Sequence, residues 1–438
     1  MNNIDISVIV TVHNAENYLS QALDSVVNQT YRNIEIICID GGSSDASPEI
    51  LKEYALRDSR IRIINDTNTS YGHKINRGMD EARGEYIAVL ESDDSFEKDM
   101  LEKLWKIVEL YHPDMVNGNY YECWDIGNHT VKRKHVLYHE QPYEQLIDNS
   151  AHSDQMEIMD RYWTGLYKRS FLEKNDIRLN ESPGASFQDM SFRFLLSVLA
   201  ETSYHISDFV YNYRMDNPYS SMKDQSKTVV IVDEHDYLEN ELKKRDIDDE
   251  NIWFLKYFWK YVDFDGNLTH LQAASRPMLV ERYREELEKD LPKMPQISGR
   301  QYFHTEDWIL SDSEKHVKYL EESFQNFKKV DEHFLEFVEN TICSDKALIL
   351  FGCGRRAEYA LNRLDDICSR DSITCFSDNS IEKRDSEFMG YRVYAPEDTL
   401  KKYPDAKYLI TSIKYGEEIT EGLIEKGISK ENIVLFDI

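Results

Sequence analysis

The sequence predicts an α/β protein in three parts: a parallel-sheet domain, a helical middle region and a small second α/β domain. Three observations predict it. In the first part, apolar runs of strand length alternate with amphipathic helical stretches across short polar turns, the order that builds a parallel sheet covered by helices. Between 226 and 342, Glu, Lys, Asp and aromatic residues dominate at helical spacing and Gly is scarce. Beyond Lys346 the strand–turn–helix alternation returns around Gly352-Cys353-Gly354. The expected domains are 1–225, 226–342 and 343–438.

Ile6 to Val12 is apolar and largely β-branched, a buried strand. Tyr18, Leu19, Ala22, Leu23, Val26 and Val27 recur at helical spacing, giving a helix to about Asn28. Ile34 to Ile39 is a second buried strand, closed by the polar turn Asp40-Gly41-Gly42-Ser43-Ser44-Asp45, and Ser47-Pro48 opens a helix through Arg57. A strand at Ile61 to Ile64, a helix from about Lys74 to Ala82 and a strand at Tyr86 to Leu90 follow. Leu101 to Tyr111 reads as a helix, and Asp114-Met115-Val116-Asn117-Gly118 as a short strand and turn. In the last domain Ala347 to Phe351 is a strand with a helix through Leu364. Ile373 to Phe376, Tyr408 to Ser412 and Ile433 to Phe436 are later strands.

A net charge of −29 over 438 residues argues against a nucleic-acid partner and a polybasic membrane patch. The six cysteines show neither CxxC nor zinc spacing, and Cys38 and Cys375 sit in strand-like apolar runs, which suits buried thiols in a reducing compartment. No basic-then-apolar leader opens the sequence, and no apolar run approaches the ~20 residues of a membrane span. The expected location is cytoplasmic, with a peripheral place at the inner membrane face left open.

The Tyr86–Leu90 strand ends in Glu91, Asp93 and Asp94. Carboxylates at the carboxyl end of a buried strand lie where open α/β sheets bind ligands. They repel one another, and a hard cation, Mg²⁺ or Mn²⁺, shared with substrate phosphates would relieve that. The turn holding Asp40 should project from the same edge. The bland alternative is a solvated acidic turn, with Asp40 and Asp45 serving turn and cap chemistry.

Residues 5 to 221 resemble the family-2 inverting glycosyltransferases. The resemblance rests on Ser7-Val8-Ile9-Val10-Thr11-Val12-His13-Asn14, Gln29-Thr30-Tyr31, the Asp40–Asp45 turn, Asn76 and Gly78, Gly84-Glu85-Tyr86-Ile87 and Ser92-Asp93-Asp94, in that order. It implies a GT-A-type (nucleotide-diphospho-sugar transferase) fold. It also implies metal-dependent, inverting transfer of a sugar from a nucleotide diphosphate, UDP foremost. The implied acceptor is a saccharide, a lipid-linked glycan or a glycoprotein, as in bacterial surface-polysaccharide or adhesin-glycan synthesis. Asp40 is implied beside the nucleotide base and ribose. Asp93 is implied as the direct ligand of Mn²⁺ or Mg²⁺, with Asp94 positioning sugar or metal-bound water, and Glu91 stands in place of the first acid of the metal motif. Val12, Asn14, Gly42, Lys74, Asn76, Ser92 and Arg214 complete the implied donor site. Lys74 and His73 are candidates for the diphosphate, or for a structural role. Gly41 occupies a position where many members carry a second Asp.

A second chemical centre follows at Ser186-Phe187-Gln188-Asp189-Met190. Family members usually open a helix here with Glu-Asp; this chain has Gln188-Asp189. The resemblance implies that Asp189 is the general base, taking the proton of an acceptor hydroxyl as it attacks the anomeric carbon. The alternative is a first-turn acid favoured by the helix dipole. Trp163 to Arg169 resembles the segment before the acceptor site, and Phe209 to Ser221 one that closes over the donor. Tyr120, Tyr121, Trp124, Tyr138 and Tyr143 suit either acceptor stacking or a core.

In the middle region Trp253, Phe254, Tyr257, Phe258 and Tyr261 form one apolar face, and Phe324, Phe327, Phe334 and Phe337 another. These fit core packing, acceptor binding or oligomerisation, so residues 226–438 are the expected surface for a second copy or a pathway partner. The Gly352-Cys353-Gly354-Arg355-Arg356-Ala357 turn, with Asp378 at the next strand end, matches a dinucleotide fingerprint. This block resembles Rossmann-like modules appended to some bacterial glycosyltransferases, and it is too short for a two-halved dinucleotide site. Phosphate binding by Arg355 and Arg356 and a docking role are both expected possibilities. The rival functions are a catalytically drifted nucleotide-sugar-binding scaffold, suggested by Gly41, Glu91 and Gln188, and an NAD-dependent oxidoreductase built on this last domain.

Overall fold

The computed structural model describes residues 4–126, 129–138, 142–149, 158–159, 161–185, 187–218, 230–270, 276–293, 337–338, 340–341, 344, 346–354, 356–357, 360–361, 364, 372–412 and 415–436. Ser186, Tyr219 to Ser221, Phe324, Phe327, Phe334 and Arg355 lie outside the described residues. The chain separates into two compact units: Met1–Cys123 with Arg133–Phe264 and Glu288–His304, and Trp124–Lys132 with Asp265–Leu287 and Thr305–Ile438.

The first unit is built on β1 (Ile6–Val12), β2 (Ile34–Asp40), β3 (Ile61–Asn65), β4 (Tyr86–Glu91), β5 (Ser95–Phe96), β6 (Met115–Ile126), β7 (His129–His135), β8 (Leu146–Asp148), β9 (Gly165–Lys168) and β10 (Thr202–Arg214). The main path of its sheet is β3-β2-β1-β4-β9-β6-β10-β5. β1 and β2 are buried at every position, as a central parallel strand covered on both faces must be. The helices are α1 (Leu19–Val27), α2 (Ser47–Arg57), α3 (Tyr71–Glu81), α4 (Met100–Tyr111), α5 (Arg169–Lys174) and α6 (Gln188–Leu199), followed by α7 (Val230–Lys244), α8 (Glu250–His270) and α9 (Arg276–Asp290). α1 buries Leu19, Ala22, Leu23 and Val26, one stripe at helical spacing. α7 packs on α6, so the first unit continues past residue 225 into the helices of the middle region.

Three features depart from the sequence expectation. α3 starts at Tyr71 rather than Lys74 because Ser70 caps it, accepting from the His73 amide at 3.2 Å. β6 does not turn at Gly118. A Cβ there would meet Val210 Cγ2 at 2.8 Å and the Asp208 carbonyl at 3.0 Å, so the glycine admits β10 beside a continuous strand. The sheet is mixed: β9 enters antiparallel between β4 and β6. Its leading residues, the turn Tyr162–Thr164, therefore stand at the carboxyl end of β4.

The second unit holds a sheet of order β13-β14-β12-β11-β15-β16, made of β11 (Leu348–Phe351), β12 (Ile373–Ser377), β13 (Glu387–Phe388), β14 (Tyr391–Tyr394), β15 (Lys407–Ile410) and β16 (Ile433–Leu435). All its pairings are parallel except β13 with β14. Alternate residues of β11 feed two apolar layers, Leu348 and Leu350 on one face and Ile349 and Phe351 on the other, with α10 (Pro396–Lys402) and α11 (Gly416–Glu425) adding cover. Cys38 and Cys375 are buried free thiols, and Tyr120, Trp124 and Tyr138 are buried as core residues. Among the described residues no helix is long and apolar enough to cross a membrane.

Gly72 in α3 gives a direct test of the packing. A Cβ there would lie 1.9 Å from the Asn180 carbonyl oxygen, a backbone atom that cannot turn aside. Alanine gains about 1 kcal/mol of helix propensity over glycine, while overpacking costs about 1–3 kcal/mol. At so short an approach the clash wins, so Gly72→Ala is expected to lower stability by about 1–2 kcal/mol in thermal denaturation. An unchanged or raised melting temperature would contradict this packing.

Candidate active site

Strand register sets the edge. Val12 pairs with Asp40 and Thr11 with Glu91, so the ends of β1, β2 and β4 lie side by side. The acids after β4 are held by residues from far along the chain. Thr11 donates to Glu91 Oε2 at 3.0 Å. Tyr71 donates to Glu91 Oε1, and the Tyr162 hydroxyl meets both the Tyr71 hydroxyl and that same oxygen, the latter at 3.2 Å. Burial, with the Asp93 charge adding to it, pushes the Glu91 carboxyl up to about 7. Asp94 accepts from the Tyr211 hydroxyl at 2.9 Å and the Arg214 amide at 2.7 Å. Burial, then the Asp93 charge, holds its carboxyl well above the usual range. Asp93 Oδ2 accepts from Asn217 Nδ2 at 2.7 Å, and its Oδ1 has no hydrogen-bond partner among the described residues. Arg214 donates to the Asp93 carbonyl and to Gln21 and lies over the Tyr18 ring.

Among the described residues no three His, Cys, Asp or Glu side chains close on one point. The donor set nonetheless fits a hard divalent cation. It is all oxygen, it carries excess negative charge, and Asp93 keeps one carboxylate oxygen open. Mg²⁺ and Mn²⁺ sites of this kind take one or two carboxylates and complete their shell with water and phosphate.

Across the edge, Asp40 Oδ1 accepts from the Ser43 amide at 3.0 Å and its hydroxyl at 2.7 Å. Asn14, in the left-handed region at φ 51°, accepts from the Ser44 amide at 2.8 Å. Gly42 turns the loop at φ 78°. Val12 is buried and its carbonyl accepts from Gly41. Lys74 fills the space above Gly41: a Cβ at residue 41 would lie 2.7 Å from its Cε and 2.8 Å from its Nζ. An aspartate there would need the flexible end of the Lys74 side chain to move aside. Lys74 is buried and makes no side-chain hydrogen bond or ion pair among the described residues. Burial lowers its pKa against the opposing pull of Glu91, Asp40 and Asp66. Ser92 is partly buried in the turn after β4.

Asp189 opens α6, partly buried, with no hydrogen-bond partner for its carboxylate among the described residues. Tyr162 feels the charges of both Glu91 and Asp189, and Tyr213 those of Asp93, Asp94 and Asp189, so the two acidic centres share these phenols. Asn76, expected at the donor, is instead occupied with the segment before α6: it donates to the Leu179 carbonyl at 2.9 Å and Glu181 Oε1 at 3.0 Å and accepts from the Leu179 amide. His73 is likewise engaged, 2.9 Å from Glu181 Oε2 and 3.0 Å from Asp66 Oδ2. Sequence reasoning missed Tyr71, Tyr162, Tyr211, Asn217 and Glu234. Glu234 of α7 is fully buried, accepts from Asn180 Nδ2 at 3.0 Å and Ser182 Oγ at 2.6 Å, and leaves Oε2 without a partner among the described residues. The sequence signal was the helical spacing of Ile231, Leu238 and Leu242 in α7, which marks Glu234 as inward-facing without naming its partners.

Residues 7–174 match the family model "Glycosyl transferase family 2", and residues 344–434 match one described as "C2185-like, N-terminal". Glycosyltransferase GlyA of Streptococcus pneumoniae is 33% identical over 217 residues, 48% of this chain and 30% of that protein, so the chain spans less than a third of that relative. An uncharacterized glycosyltransferase of Haemophilus influenzae is 32% identical over 207 residues, 47% of this chain and 76% of that protein. Staphylococcus aureus TarS 1-349, solved in complex with UDP-GlcNAc, superposes with a TM-score of 0.52 at 16% identity, covering 76% of this chain and 92% of that one, a likeness of fold.

Burial pushes the Glu234 carboxyl up to about 7, with the charges of Asp189 and Asp233 adding to it. Folding favours the neutral acid, so this contribution to stability is full below the ordinary carboxylate pKa and is lost as pH rises through about 7. Glu234→Gln keeps the accepting oxygen and cannot ionise. Its melting temperature is expected to match wild type near pH 4 (about the ordinary Glu pKa) and to exceed it increasingly in mildly alkaline buffer. Parallel pH curves would contradict the assignment.

Proposed function

We infer the reaction from one premise: this chain belongs to glycosyltransferase family 2. It is a glycosyltransferase with a GT-A-like domain. We propose that it is metal-dependent and inverting, and that it moves a sugar from a UDP-linked donor to a saccharide, lipid-linked or protein-glycan acceptor. The observation that carries this reading is the presence, at one sheet edge, of an open Asp93 oxygen and of the buried Lys74 ammonium above Gly41, which has no partner among the described residues. Asp93 would hold a divalent cation and Lys74 a diphosphate oxygen, and a cation–diphosphate group there would offset both charges.

In this reading Asp93 would hold Mn²⁺ or Mg²⁺, while Asp94 is kept in place by Tyr211 and the Arg214 amide and Glu91 is fixed by Thr11, Tyr71 and Tyr162. When bound, the metal supplies charge stabilisation for the departing diphosphate. Asp40 has Oδ1 fixed by Ser43 and offers Oδ2 to the base or ribose. Lys74 takes a diphosphate oxygen. Asp189, whose carboxylate has no hydrogen-bond partner among the described residues, receives the acceptor proton while the new bond forms on the face opposite the leaving group, which inverts the anomeric centre. UDP-GlcNAc, the ligand held by TarS, is the first donor to try.

Asp189→Asn keeps shape and removes the basic oxygen, so turnover is expected to fall about 10²–10⁴-fold with donor affinity unchanged. The assay is nucleoside-diphosphate release alongside calorimetric titration of the donor with Mn²⁺. An equal loss of donor binding would overturn the base role, and full turnover by the variant would remove it altogether.

A further inference from the structure

Asp189 sits at the first turn of α6, and nothing on α6 itself bonds its carboxylate. Its position is set by what holds the segment in front of it. On one side that segment is tied to α3, by Asn76 on Leu179 and by the Tyr71 amide donating to the Gly184 carbonyl at 2.8 Å. On the other side it meets α7. Glu234 Oε1 accepts from Asn180 and Ser182, and Gln188, the residue beside Asp189, donates to the Ser182 hydroxyl at 3.1 Å, its carbonyl at 3.1 Å and the Gly184 carbonyl at 3.0 Å. The next residue of α7, His235, lies 3.1 Å from Asp263 of α8, and Asp263 also pairs with Arg193, one turn beyond Asp189 on α6. α7 thus reaches the base helix by two routes, one of them through Asp263 of α8, and Glu234 is the contact on the route that leads to the base's neighbour.

We propose that Glu234 is a positioning residue for the general base: through Ser182 it fixes Gln188, and with it the direction in which Asp189 faces the acceptor. This rests on Asp189 being the base of a glycosyl transfer. A fully buried carboxyl with one oxygen left unpartnered is costly to keep for packing alone. Its high proton affinity keeps that cost down near neutral pH, because the acid is then substantially uncharged. The role asks only for an accepting oxygen at Oε1, so an amide can perform it.

The test uses the full chain and donor turnover to water, read as UDP release from UDP-GlcNAc and a panel of other UDP-sugars with Mn²⁺. Displacing a catalytic group by about 1 Å costs on the order of 100-fold in rate. Glu234→Ala is therefore expected to lower kcat about 10- to 100-fold with the donor KM within about twofold of wild type, and Glu234→Gln to restore at least about half of kcat. Because removing a buried side chain risks the fold, Ser182→Ala serves as the second variant. Ser182 is only partly buried, and its loss cuts the link from Glu234 to Gln188 while leaving Asn180 in place. It is expected to lower kcat several-fold at an unchanged melting temperature. If the wild type turns over and both alanine variants match it, this inference alone falls. It also falls if Glu234→Gln is as impaired as Glu234→Ala. A wild type that releases UDP from no donor overturns the transferase reading and this inference together.

Discussion

Glu91, Asp93 and Asp94 stand within four positions at the end of a buried strand, and their mutual repulsion is the constraint on which the rest of the site depends. Two like charges about 4 Å apart repel by roughly 4 kcal/mol at an effective dielectric near 20. The fold lowers that cost by surrounding two of the three with donors: Thr11, Tyr71 and Tyr162 around Glu91, Tyr211 and the Arg214 amide around Asp94. Those two carboxyls are pushed toward their neutral forms. Asp93 is the acid that keeps an oxygen open, and the charge around it is what a cation and a diphosphate would offset.

The donors come from β1, α3, the turn before β9 and β10, so the acid cluster explains features of the sheet that look arbitrary in isolation. β9 running antiparallel delivers Tyr162 to the end of β4. β10 ends with Tyr211 and Arg214 against the Asp94 turn, paired there with β5. α3 begins early enough for Tyr71 to reach Glu91 and for Lys74 to lie over Gly41. The segment before Asp189 is tied to that same helix on one side and to α7 on the other, and the first unit accordingly continues into the middle region.

The central strands were legible because their information is local. A strand buried on both faces reads as a continuous apolar run, and β1, β2 and β4 each do. The acidic end of β4 and the polar turn after β2 were legible for the same reason, and the parallel register puts them together. What holds the acids was not legible. Tyr162 lies 71 positions from Glu91 and Tyr211 lies 117 from Asp94, and no spacing rule selects one tyrosine among 28. Asn76 shows the converse: its place on α3 follows from local spacing, but its amide is taken up by Leu179 and Glu181, partners that only the tertiary fold supplies. β6 was cut short at Gly118 because glycine signals a turn locally, whereas here it makes room for a neighbouring strand.

In the proposed reading Asp93 and Lys74 would share one metal–diphosphate group, and Mn²⁺ titration followed by electron paramagnetic resonance, with and without UDP, is the most direct test. Weak Mn²⁺ binding by the protein alone, much tighter binding once UDP is present, and loss of that enhancement in both Asp93→Asn and Lys74→Met are expected. Equal Mn²⁺ binding with and without UDP, or an enhancement that survives both substitutions, would contradict it.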